Sequence, residues 1–566
     1  MRVHVETDVS ALSHAPQHWH AVSWWKVERN VKGMQIRIAK ATREGKWRKV
    51  KALQRMLTRT ISAKLLAVKR VTENQGKRTA GVDGELWESP ERKWAAVGRM
   101  SQRGYKPLPL RRIYIPKANG KKRPLGVPTM RDRAIQALYL LALEPVSESM
   151  SDPNSYGFRS NRSTADAMSQ LFVSLSSKVS AQWIVEADIK GCFDHINHEW
   201  LTRNVPMDKT VLLKWLKSGL IYQGQFQETD AGTPQGGIIS PTLANVTLNG
   251  LEAGLNSYLA AKFGIVKAKK LKVNLVRYAD DFVITGISKE ILENEVKPWV
   301  ESFLAVRGLQ LSEEKTHIVH IDQGFDFLGW NFRKYQGKLL IKPSKKNAQA
   351  FYRKVKEVVS RHKTVRQEEL IRMLNPILRG WAQYHSPVVA KATYSRMDYL
   401  IFKVIWRWSK RRHPNKNAGW VKEKYFRTIG ERNWVFAVPI VNEEGGIEIK
   451  ELYQLSGTPI KRHKKIKGAY NPFDPEWEMY GENLQQERML QNMSHRTKWI
   501  RMYLSQGGLC AVCNCKMTKA TGWHDHHIEY RVNGGSDALG NRVLLHPNCH
   551  AQVHSTGLKV TKPAPL

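Results

Sequence analysis

The stretch Val-Arg-Tyr-Ala-Asp-Asp-Phe-Val-Ile at residues 276–284 decides the fold, together with Trp-Ile-Val-Glu-Ala-Asp-Ile-Lys-Gly-Cys-Phe-Asp at residues 183–194. Each reads as an apolar strand that ends in carboxylates, Asp188 in one and Asp280 and Asp281 in the other. Two carboxylates about 4 Å apart repel each other by roughly 4 kcal/mol at an effective dielectric constant of about 20. A folded protein tolerates such a cluster mainly when a divalent cation lies between the carboxylates. The pattern therefore indicates a magnesium site suited to phosphoryl chemistry on nucleotides.

The segments around these acids make the pattern more specific, because an Asp-Asp pair alone is more often a solvated turn. Residues 115–128, Ile-Pro-Lys-Ala-Asn-Gly-Lys-Lys-Arg-Pro-Leu-Gly-Val-Pro, place an Asn-Gly turn between apolar residues, which predicts a hairpin. This hairpin would present Lys117 and Arg123, cations that suit a triphosphate. Residues 231–241, Ala-Gly-Thr-Pro-Gln-Gly-Gly-Ile-Ile-Ser-Pro, form a glycine-rich loop that can approach a sugar or base closely. Two more segments follow, Gly-Leu-Gln-Leu-Ser-Glu-Glu-Lys-Thr at residues 308–316 and Phe-Asp-Phe-Leu-Gly-Trp at residues 325–330.

This series of segments resembles the sequence blocks of reverse transcriptases, and in its details those encoded within group II introns. The resemblance implies that the metal is bound by Asp188, Asp280 and Asp281, that the nucleotide meets Lys117, Arg123, Phe193 and Gln235, and that the primer is gripped by Phe327, Leu328 and Gly329. By the same resemblance, Phe193 would exclude a 2′-hydroxyl and so select deoxynucleotides. Lys315 would either donate a proton to pyrophosphate or carry an ordinary charge on a helix surface.

The net charge of the 566-residue chain is +41, from 91 Lys and Arg residues against 50 Asp and Glu residues. Such an excess of cations favours a polyanionic partner, either nucleic acid or an anionic membrane. No stretch approaches the roughly eighteen apolar residues that a membrane span needs, so we expect no membrane partner. The length, with 42% hydrophobic residues, predicts several domains rather than one core.

Cysteine usage and the N-terminus bear on the compartment. The chain begins Met-Arg-Val-His-Val-Glu-Thr-Asp without an apolar run, so we expect no secretory signal. Five cysteines in a chain of this size exclude a disulfide framework and suit a reducing compartment. We therefore expect a cytoplasmic protein, from a bacterium or an organelle of bacterial origin, that joins the nucleoid when it acts on DNA.

Residues 405–416, Ile-Trp-Arg-Trp-Ser-Lys-Arg-Arg-His-Pro-Asn-Lys, carry cations without one acid. The cations are Arg407, Lys410, Arg411, Arg412 and Lys416. Cations of this kind contact phosphates, and the faces of Trp406 and Trp408 could stack on unpaired bases. Taken alone, such a run is as often a solvated face. The stretch resembles the maturase or thumb domain of group II intron proteins, and this resemblance implies RNA binding.

The region that follows is less informative. Residues 431–455 read as short strands with an acidic interruption at Glu443 and Glu444. Residues 461–467, Lys-Arg-His-Lys-Lys-Ile-Lys, and residues 471–475, Asn-Pro-Phe-Asp-Pro, predict a basic linker and a hinge. In intron proteins a DNA-binding region occupies this location.

A cluster of cysteines and histidines near the C-terminus predicts a structural zinc site. Cys510 and Cys513 form one Cys-x2-Cys knuckle, and His546 and Cys549 have the same spacing in a second one. Two such knuckles in one short segment are a strong zinc signal. We expect these four residues to be the ligands, with Cys515 as a rival for the fourth place.

The other polar residues of this segment resemble an HNH endonuclease, which implies a ββα-metal fold. In that fold His527 would deprotonate water, since a neutral imidazole suits a base near pH 7. His526 would face the opposite side of its strand and bind the catalytic metal together with His550 and His554. Asn541 would fix the hairpin or orient His527. Imidazole ligands favour transition metals, yet many nucleases use Mg²⁺, which we expect here.

The sequence therefore predicts an α+β multidomain protein with a right-hand-like reverse transcriptase. The expected domains are an N-terminal helical extension (1–75), fingers and palm (76–335), a helical thumb or maturase domain (336–430), a DNA-binding region and linker (431–495) and a small HNH domain (496–566).

The whole series resembles a group II intron-encoded protein. The partners implied are the intron RNA, target DNA and dNTPs, while the oligomeric state stays open. The resemblance implies RNA-directed DNA synthesis, assistance of splicing and nicking of one DNA strand. One alternative is an RNA-folding cofactor whose catalytic sites have lapsed, and another is a reverse transcriptase of the defence or diversity-generating type.

Overall fold

The computed structural model describes residues 19–116, 120, 122–233, 236–441, 446–493, 497–519, 521–530, 533–536 and 538–562. Lys117 and Gln235, which the sequence assigns to the nucleotide, lie outside the described residues, as do Glu443 and Glu444. Helices and sheets are mixed in several units, so the expected α+β multidomain class is confirmed. The five domain boundaries stay predictions. Among the described helices, none combines the length and the apolar character needed to cross a bilayer.

The elements alternate along most of the chain. The strands are β1 Leu110–Pro116, β2 Lys122–Val127, β3 Trp183–Asp188, β4 Leu220–Tyr222, β5 Gln225–Gln227, β6 Asn274–Tyr278, β7 Asp281–Gly286, β8 His317–His320, β9 Phe325–Phe327, β10 Trp330–Tyr335, β11 Lys338–Pro343, β12 Phe426–Ile429, β13 Arg432–Val441, β14 Ile447–Glu451, β15 His524–His527 and β16 Arg542–Leu545. The longer helices are Trp24–Arg43, Trp47–Arg59, Ile61–Glu73, Pro90–Gly98, Met130–Ser149, Thr164–Leu175, Lys209–Leu216, Ser240–Leu248, Leu251–Phe263, Lys297–Ala305, Lys345–Arg361, Gln367–His385, Lys391–Arg411, Ala418–Tyr425, Glu478–Met493, Thr497–Ser505 and Pro547–Thr556.

Near the N-terminus, three helices pack on the helix Met130–Ser149, which is buried on nearly all its faces. The first, Trp24–Arg43, turns Val27, Val31 and Ile38 inward at helical spacing. The described part of the expected N-terminal extension is therefore helical. These helices and the sheet that carries the acids share one hydrophobic core, which fixes the N-terminal region against the site.

A four-stranded sheet in the order β6-β7-β3-β8 carries the acids, and we call it the palm sheet. Its neighbouring strands pair antiparallel throughout. A second sheet, in the order β2-β1-β4-β5, contains the predicted hairpin, with Ile115 opposite Arg123. The apolar alternation of these segments explains why they form strands.

After the palm sheet, the chain becomes largely helical, as expected. The antiparallel sheet β11-β10-β9 leads into the helices Lys345–Arg361, Gln367–His385 and Lys391–Arg411, which pack on one another. A further antiparallel sheet, β12-β13-β14, closes this region against its second helix. The C-terminal unit pairs β15 with β16 and places the helix Pro547–Thr556 against both strands, which is a ββα arrangement.

Residues 461–475, which we call the strap, contain the predicted basic linker (461–467) and hinge (471–475), but they pack against the rest of the chain. Ile466, Tyr470 and Phe473 of the strap are buried. The first two belong to the core that the palm sheet shares with the helices beyond it. Sequence reasoning weighed the cations and prolines of the strap, whereas its three apolar side chains determine its packing.

Candidate active sites and metal centres

The structure brings the three predicted acids of the palm sheet to one edge. Asp188 ends β3 and stands directly opposite Asp281, the first residue of β7. Asp280 lies in the turn between β6 and β7, next to Ala279, whose φ is +59°. That turn lies so close to Gly157 that a Cβ there would come within 2.3 Å of the Ala279 backbone nitrogen. The acids therefore converge because of strand register and one tightly packed turn.

The electrostatics of this edge are those of crowded carboxylates. Burial, and then the charge of Asp280, raise the pKa of Asp281 to about 7. Burial, and then the charge of Asp188, also raise the pKa of Asp280. Such a cluster is stabilised by positive charge, and Lys315 supplies some, with its Nζ 2.7 Å from Asp188 Oδ2. Lys315 is the last residue of a short 3₁₀ turn and is exposed, yet it contacts Asp188, one of the predicted metal-binding acids.

Phe193 and Arg123 lie near the acids from two different sides. The positive charge of Arg123, on β2, acts on Asp280 and opposes the rise of its pKa. Phe193 packs edge-on against Phe158, with ring centroids 6.2 Å apart. Its carbonyl accepts a hydrogen bond of 2.6 Å from the Thr233 N–H, which ties it to the glycine-rich loop.

Sequence reasoning missed Phe158. Its ring is 52% exposed and its φ is +57°, a conformation that a bulky residue rarely adopts. The stretch Tyr-Gly-Phe-Arg at residues 156–159 gave no periodic signal, because the backbone here follows the contact of Gly157 with the turn of the acids. Phe158 is thus an exposed aromatic side chain beside the residue expected to select the sugar.

The segment predicted to grip the primer forms the turn between β9 and β10. Leu328 and Gly329 have φ of +49° and +81°. Tyr384 donates a hydrogen bond of 2.7 Å to the Leu328 carbonyl, which fixes the turn to the helix Gln367–His385. The ring of Phe327 is buried, so only its backbone could reach a primer.

In the C-terminal unit, the four residues predicted as structural metal ligands come together. Ligand atoms of Cys510, Cys513, His546 and Cys549 all lie within 4.8 Å of one another. Cys515, the rival ligand, lies outside this group, and its Sγ instead faces the Cys513 carbonyl at 3.5 Å. The cluster can therefore hold a metal ion with His546 as the fourth ligand.

A second group of ligand atoms within 4.8 Å of one another is formed by His526, His550 and His554. Burial, and then the charge of His550, lower the pKa of His526 to about 4, so its imidazole is neutral and able to bind a metal. His524 was missed, although it lies two residues before His526 on the same face of β15. Its Nδ1 is 3.5 Å from His550 Nδ1. A strand period of two would have indicated it.

Asn541 fixes the loop beyond the strand that carries His527. Its Oδ1 accepts from the Glu529 N–H at 2.8 Å, and its Nδ2 donates to the Glu529 carbonyl at 3.0 Å. A Cβ on Gly535 would come within 2.0 Å of that carbonyl, so only glycine fits there. The contacts match the first of the two roles expected for Asn541, which is to fix the hairpin.

Among the described residues, only these two C-terminal groups bring three or more ligand atoms within 4.8 Å of one another. The carboxylates of the palm acids are not grouped as tightly. Lys315 pairs with Asp188 within this group of acids. Their donor set of carboxylate oxygens alone nevertheless suits a hard divalent cation.

The helix Lys391–Arg411 separates the predicted RNA-binding cations into two groups. Arg407, Lys410 and Arg411 are exposed. Arg412 instead donates to the Lys363 and Val365 carbonyls at 3.0 and 2.9 Å.

The expectation that Trp408 offers a face to RNA is wrong. Its ring is buried, and its Nε1 donates to the His362 carbonyl at 2.9 Å. Tyr425 and Phe436 pack edge-on against it. The spacing of apolar side chains on the helix, rather than the local run of cations, sets the direction of Trp408.

Four family models match the chain. They are the reverse transcriptase family of RNA-dependent DNA polymerases at residues 115–332, the N-terminal domain of reverse transcriptase at 19–100, the group II intron maturase-specific domain at 348–426 and the HNH endonuclease family at 510–556.

Curated relatives agree with these matches. Protein YkfC of Escherichia coli is 34% identical over 316 residues, which are 49% of this chain and 82% of that protein. Group II intron-encoded protein LtrA of Lactococcus lactis is 31% identical over 47% of this chain and 54% of its own length. Maturase-like protein 1 of Euglena gracilis is 27% identical over 64% of this chain and 76% of its own length. The chain thus spans about half the length of LtrA but most of YkfC. It belongs to the group II intron-encoded proteins that join a reverse transcriptase and maturase to a C-terminal HNH endonuclease domain.

Proposed function

We propose that this protein copies group II intron RNA into DNA at the palm acids, assists splicing of that RNA and nicks one strand of the DNA target. The observation that carries the proposal is the register of the palm sheet, which sets Asp188 opposite Asp281 with Asp280 in the adjoining turn. A cofactor with lapsed catalytic sites would not need to keep the three palm acids at one edge or the group of His526, His550 and His554. A defence-type enzyme does not account for the matches to the maturase and nuclease families.

At the palm site, Asp188, Asp280 and Asp281 would hold Mg²⁺, which suits their oxygen-only donor set. Bound Mg²⁺ supplies charge stabilisation to the attacking and leaving oxygens. Arg123 would bind the triphosphate from the β1–β2 hairpin, and the Phe193 ring would exclude a ribonucleotide. By resemblance alone, we propose that Lys117 also binds the triphosphate and that Gln235 contacts the nucleotide.

Lys315 would release Asp188 when the cation binds and would then lie beside the departing pyrophosphate. Its Nζ lies 2.7 Å from Asp188 Oδ2, which favours the proton-donor role over that of an ordinary charge on the protein surface. Leu328 and Gly329 would hold the primer strand through the fixed turn.

At the C-terminal site, His527 would accept a proton from water, and Asn541 would hold the loop that follows. His526, His550 and His554 would bind the catalytic cation, for which we propose Mg²⁺. The sulfur-rich group of three cysteines and His546 suits Zn²⁺, which prefers tetrahedral sulfur and nitrogen ligands. A nick creates a 3′-hydroxyl, and a polymerase on the same chain could extend it at high effective concentration.

Primer extension on an RNA template tests the polymerase proposal. Asp188→Ala should abolish DNA synthesis, because it removes one of the metal-binding acids, and should leave splicing assistance intact. Asp322→Ala is a matched control, since Asp322 is an exposed aspartate beyond β8 that pairs only loosely with His320, at 3.6 Å. Equal loss of synthesis and splicing in Asp188→Ala would show damage to the fold and would refute the division of functions.

DNA nicking tests the nuclease proposal. His527→Ala should slow nicking by about 10²–10⁴-fold, the usual contribution of a general base, while primer extension by the same preparation stays normal. Unaltered nicking would mean that His527 is not the base.

A further inference from the structure

An aromatic cavity lies between the helix Lys391–Arg411 and the β12–β13 hairpin. Its volume is about 370 Å³. Six aromatic residues contribute to its lining, namely Tyr399, Phe402, Phe426, Trp434, Phe436 and Tyr453. Cavities of roughly this size accept small organic ligands, so the space is sufficient for a single planar ring. Nothing in the proposed catalytic functions uses this cavity.

Trp434 is held at the cavity in a strained conformation. Its φ is +60°, although the residue is bulky, and its ring is 39% exposed. The register between β12 and β13 shifts between Arg427 and Ile429, which is a bulge on the hairpin. Such bulges redirect side chains and occur often beside functional sites, and a bulky residue at positive φ is strained. A tryptophan that is 39% exposed is not needed to fill the core, so its strained backbone points to a role in binding.

The ring of Trp434 completes an aromatic box. Its centroid lies 6.0 Å from that of Phe402, 5.4 Å from Trp406 and 5.7 Å from Phe426. The partner rings are edge-on or tilted. None of these three rings lies parallel to the indole of Trp434, so a flat ligand could stack on it once the flexible Lys422 side chain over the ring moves aside.

Exposed cations surround the box. Lys422 Nζ lies 4.9 Å from the centroid of Trp434, and Lys403 Nζ lies 4.3 Å from that of Tyr399. Lys410 Nζ lies 5.6 Å from the centroid of Trp406, one of the rings of the box. All three ammonium groups are on exposed residues, so each can reach a phosphate while its stem rests on a ring.

The acid that lines the cavity, Asp398, and Glu451 nearby are both engaged in contacts within the fold. Asp398 accepts from the backbone N–H groups of Leu455 and Ser456, each at 2.9 Å. Glu451 pairs with Arg432 at 2.6 Å. The rim is therefore complementary to an anionic chain rather than to a basic or neutral peptide.

We propose that this cavity binds one unpaired nucleobase of single-stranded RNA, stacked on Trp434, while flanking phosphates contact Lys403, Lys410 and Lys422. The inference rests on the proposed RNA-binding function and gives it a specific contact. A duplex cannot use the cavity, because its bases present no free face. The site should tolerate any base, since every base offers a flat surface for stacking.

Binding of labelled RNA to the full-length protein tests the proposal. With short oligouridylate, Trp434→Ala should weaken binding by about 5- to 150-fold, the range that stacking of one base supports, and Trp434→Phe should restore most of it. Duplex RNA and an abasic strand of the same length should bind both forms equally. The slope of log K against log salt should not change, because the lysines that bind the phosphates all remain.

Two controls separate the absence of the ring from a damaged hairpin. Trp434→Gly removes the ring but suits the positive φ, so it should bind as weakly as the alanine variant while unfolding at a higher temperature than that variant. Trp25→Ala removes another exposed tryptophan, one that has Arg29 over its ring at 5.1 Å, and should leave oligouridylate binding unchanged.

The proposal is overturned if Trp434→Ala binds oligouridylate as tightly as the wild type does. It is also overturned if the variant binds duplex and abasic RNA more weakly by the same factor as oligouridylate, or if only its binding of a deoxythymidylate strand is weakened. Equal losses on the RNA strand and the DNA strand support it, because stacking involves the base alone. A wild-type protein that binds no RNA would refute the RNA-binding function itself, which distinguishes that failure from failure of the cavity.

Discussion

Arg277 is a buried side chain that holds the turn next to the palm acids and need not contact a substrate. Its guanidinium is fully buried and donates to Asn245 Oδ1 at 3.1 Å and to the Ala279 carbonyl at 3.2 Å. Burial lowers the pKa of Arg277 to about 10, so the group stays charged at neutral pH. It is a positioning residue, because its contacts hold the backbone turn that presents Asp280.

Replacing Arg277 with methionine should therefore impair catalysis more than binding. The Ala279 carbonyl would lose its partner, and a displacement of the acids by about 1 Å can cost about 10²-fold in rate. We expect kcat of primer extension to fall by about that factor while the Kd for template–primer stays within about twofold. Steady-state extension and equilibrium binding measure the two quantities. A rise in Kd with unchanged kcat would contradict the positioning role.

At the scale of single elements, the helix Lys391–Arg411 divides its cations between solvent and core. Arg407, Lys410 and Arg411 face solvent, whereas Arg412 holds the backbone at Lys363. Only the solvent-facing cations are free to contact phosphates.

Salt titration distinguishes these two groups of cations. Changing Arg407, Lys410 and Arg411 together to glutamine should reduce the slope of log K against log salt by about 0.7 for each phosphate of single-stranded RNA that the variant no longer neutralises. Arg412→Gln should leave that slope unchanged and instead lower the unfolding temperature, because two backbone carbonyls lose their donor. Equal slopes for the triple variant and the wild type would place the RNA elsewhere.

Elements whose signal is local were predictable from the sequence. The strand that ends at Asp188 and the hairpin around Arg123 follow from apolar alternation, and the metal ligands near Cys510 follow from their spacing. The directions of Phe158 and Trp408 were not predictable, because contacts with distant parts of the chain decide them. The packing of the strap was not predictable for the same reason, since it contacts the helix Thr164–Leu175, about 300 residues earlier in the sequence.

At the scale of the whole molecule, Asp166 joins the strap to the palm. The carboxylate is fully buried and accepts from the Ile466 N–H at 2.8 Å, from His463 at 2.9 Å and from Arg488 at 3.0 Å. Burial alone would raise the pKa of Asp166, but the hydrogen bond from His463 and the charge of Arg488 lower it to about 2. The segment after the maturase region is thus held against the polymerase by one buried anion.

Asp166→Asn should destabilise the protein by about 3–5 kcal/mol, since it removes one partner of a buried charge pair. Because the folded-state pKa is lowered, the stabilisation by Asp166 is complete above the ordinary value of 3.8 and is lost as pH falls through about 2. The difference between the unfolding temperatures of wild type and variant should therefore shrink across that window. Calorimetry at several pH values measures it, and a constant difference would contradict the ionised state.

The C-terminal unit also rests on the first helices of the chain. Asn548, in the helix that carries His550 and His554, donates to Glu73, and Gln552 donates to the His20 carbonyl at 2.8 Å. These contacts hold the nuclease unit at a fixed place relative to the polymerase. The spacing between the nuclease site and the polymerase site is therefore a length built into the protein, the same at every target whatever the intervening sequence.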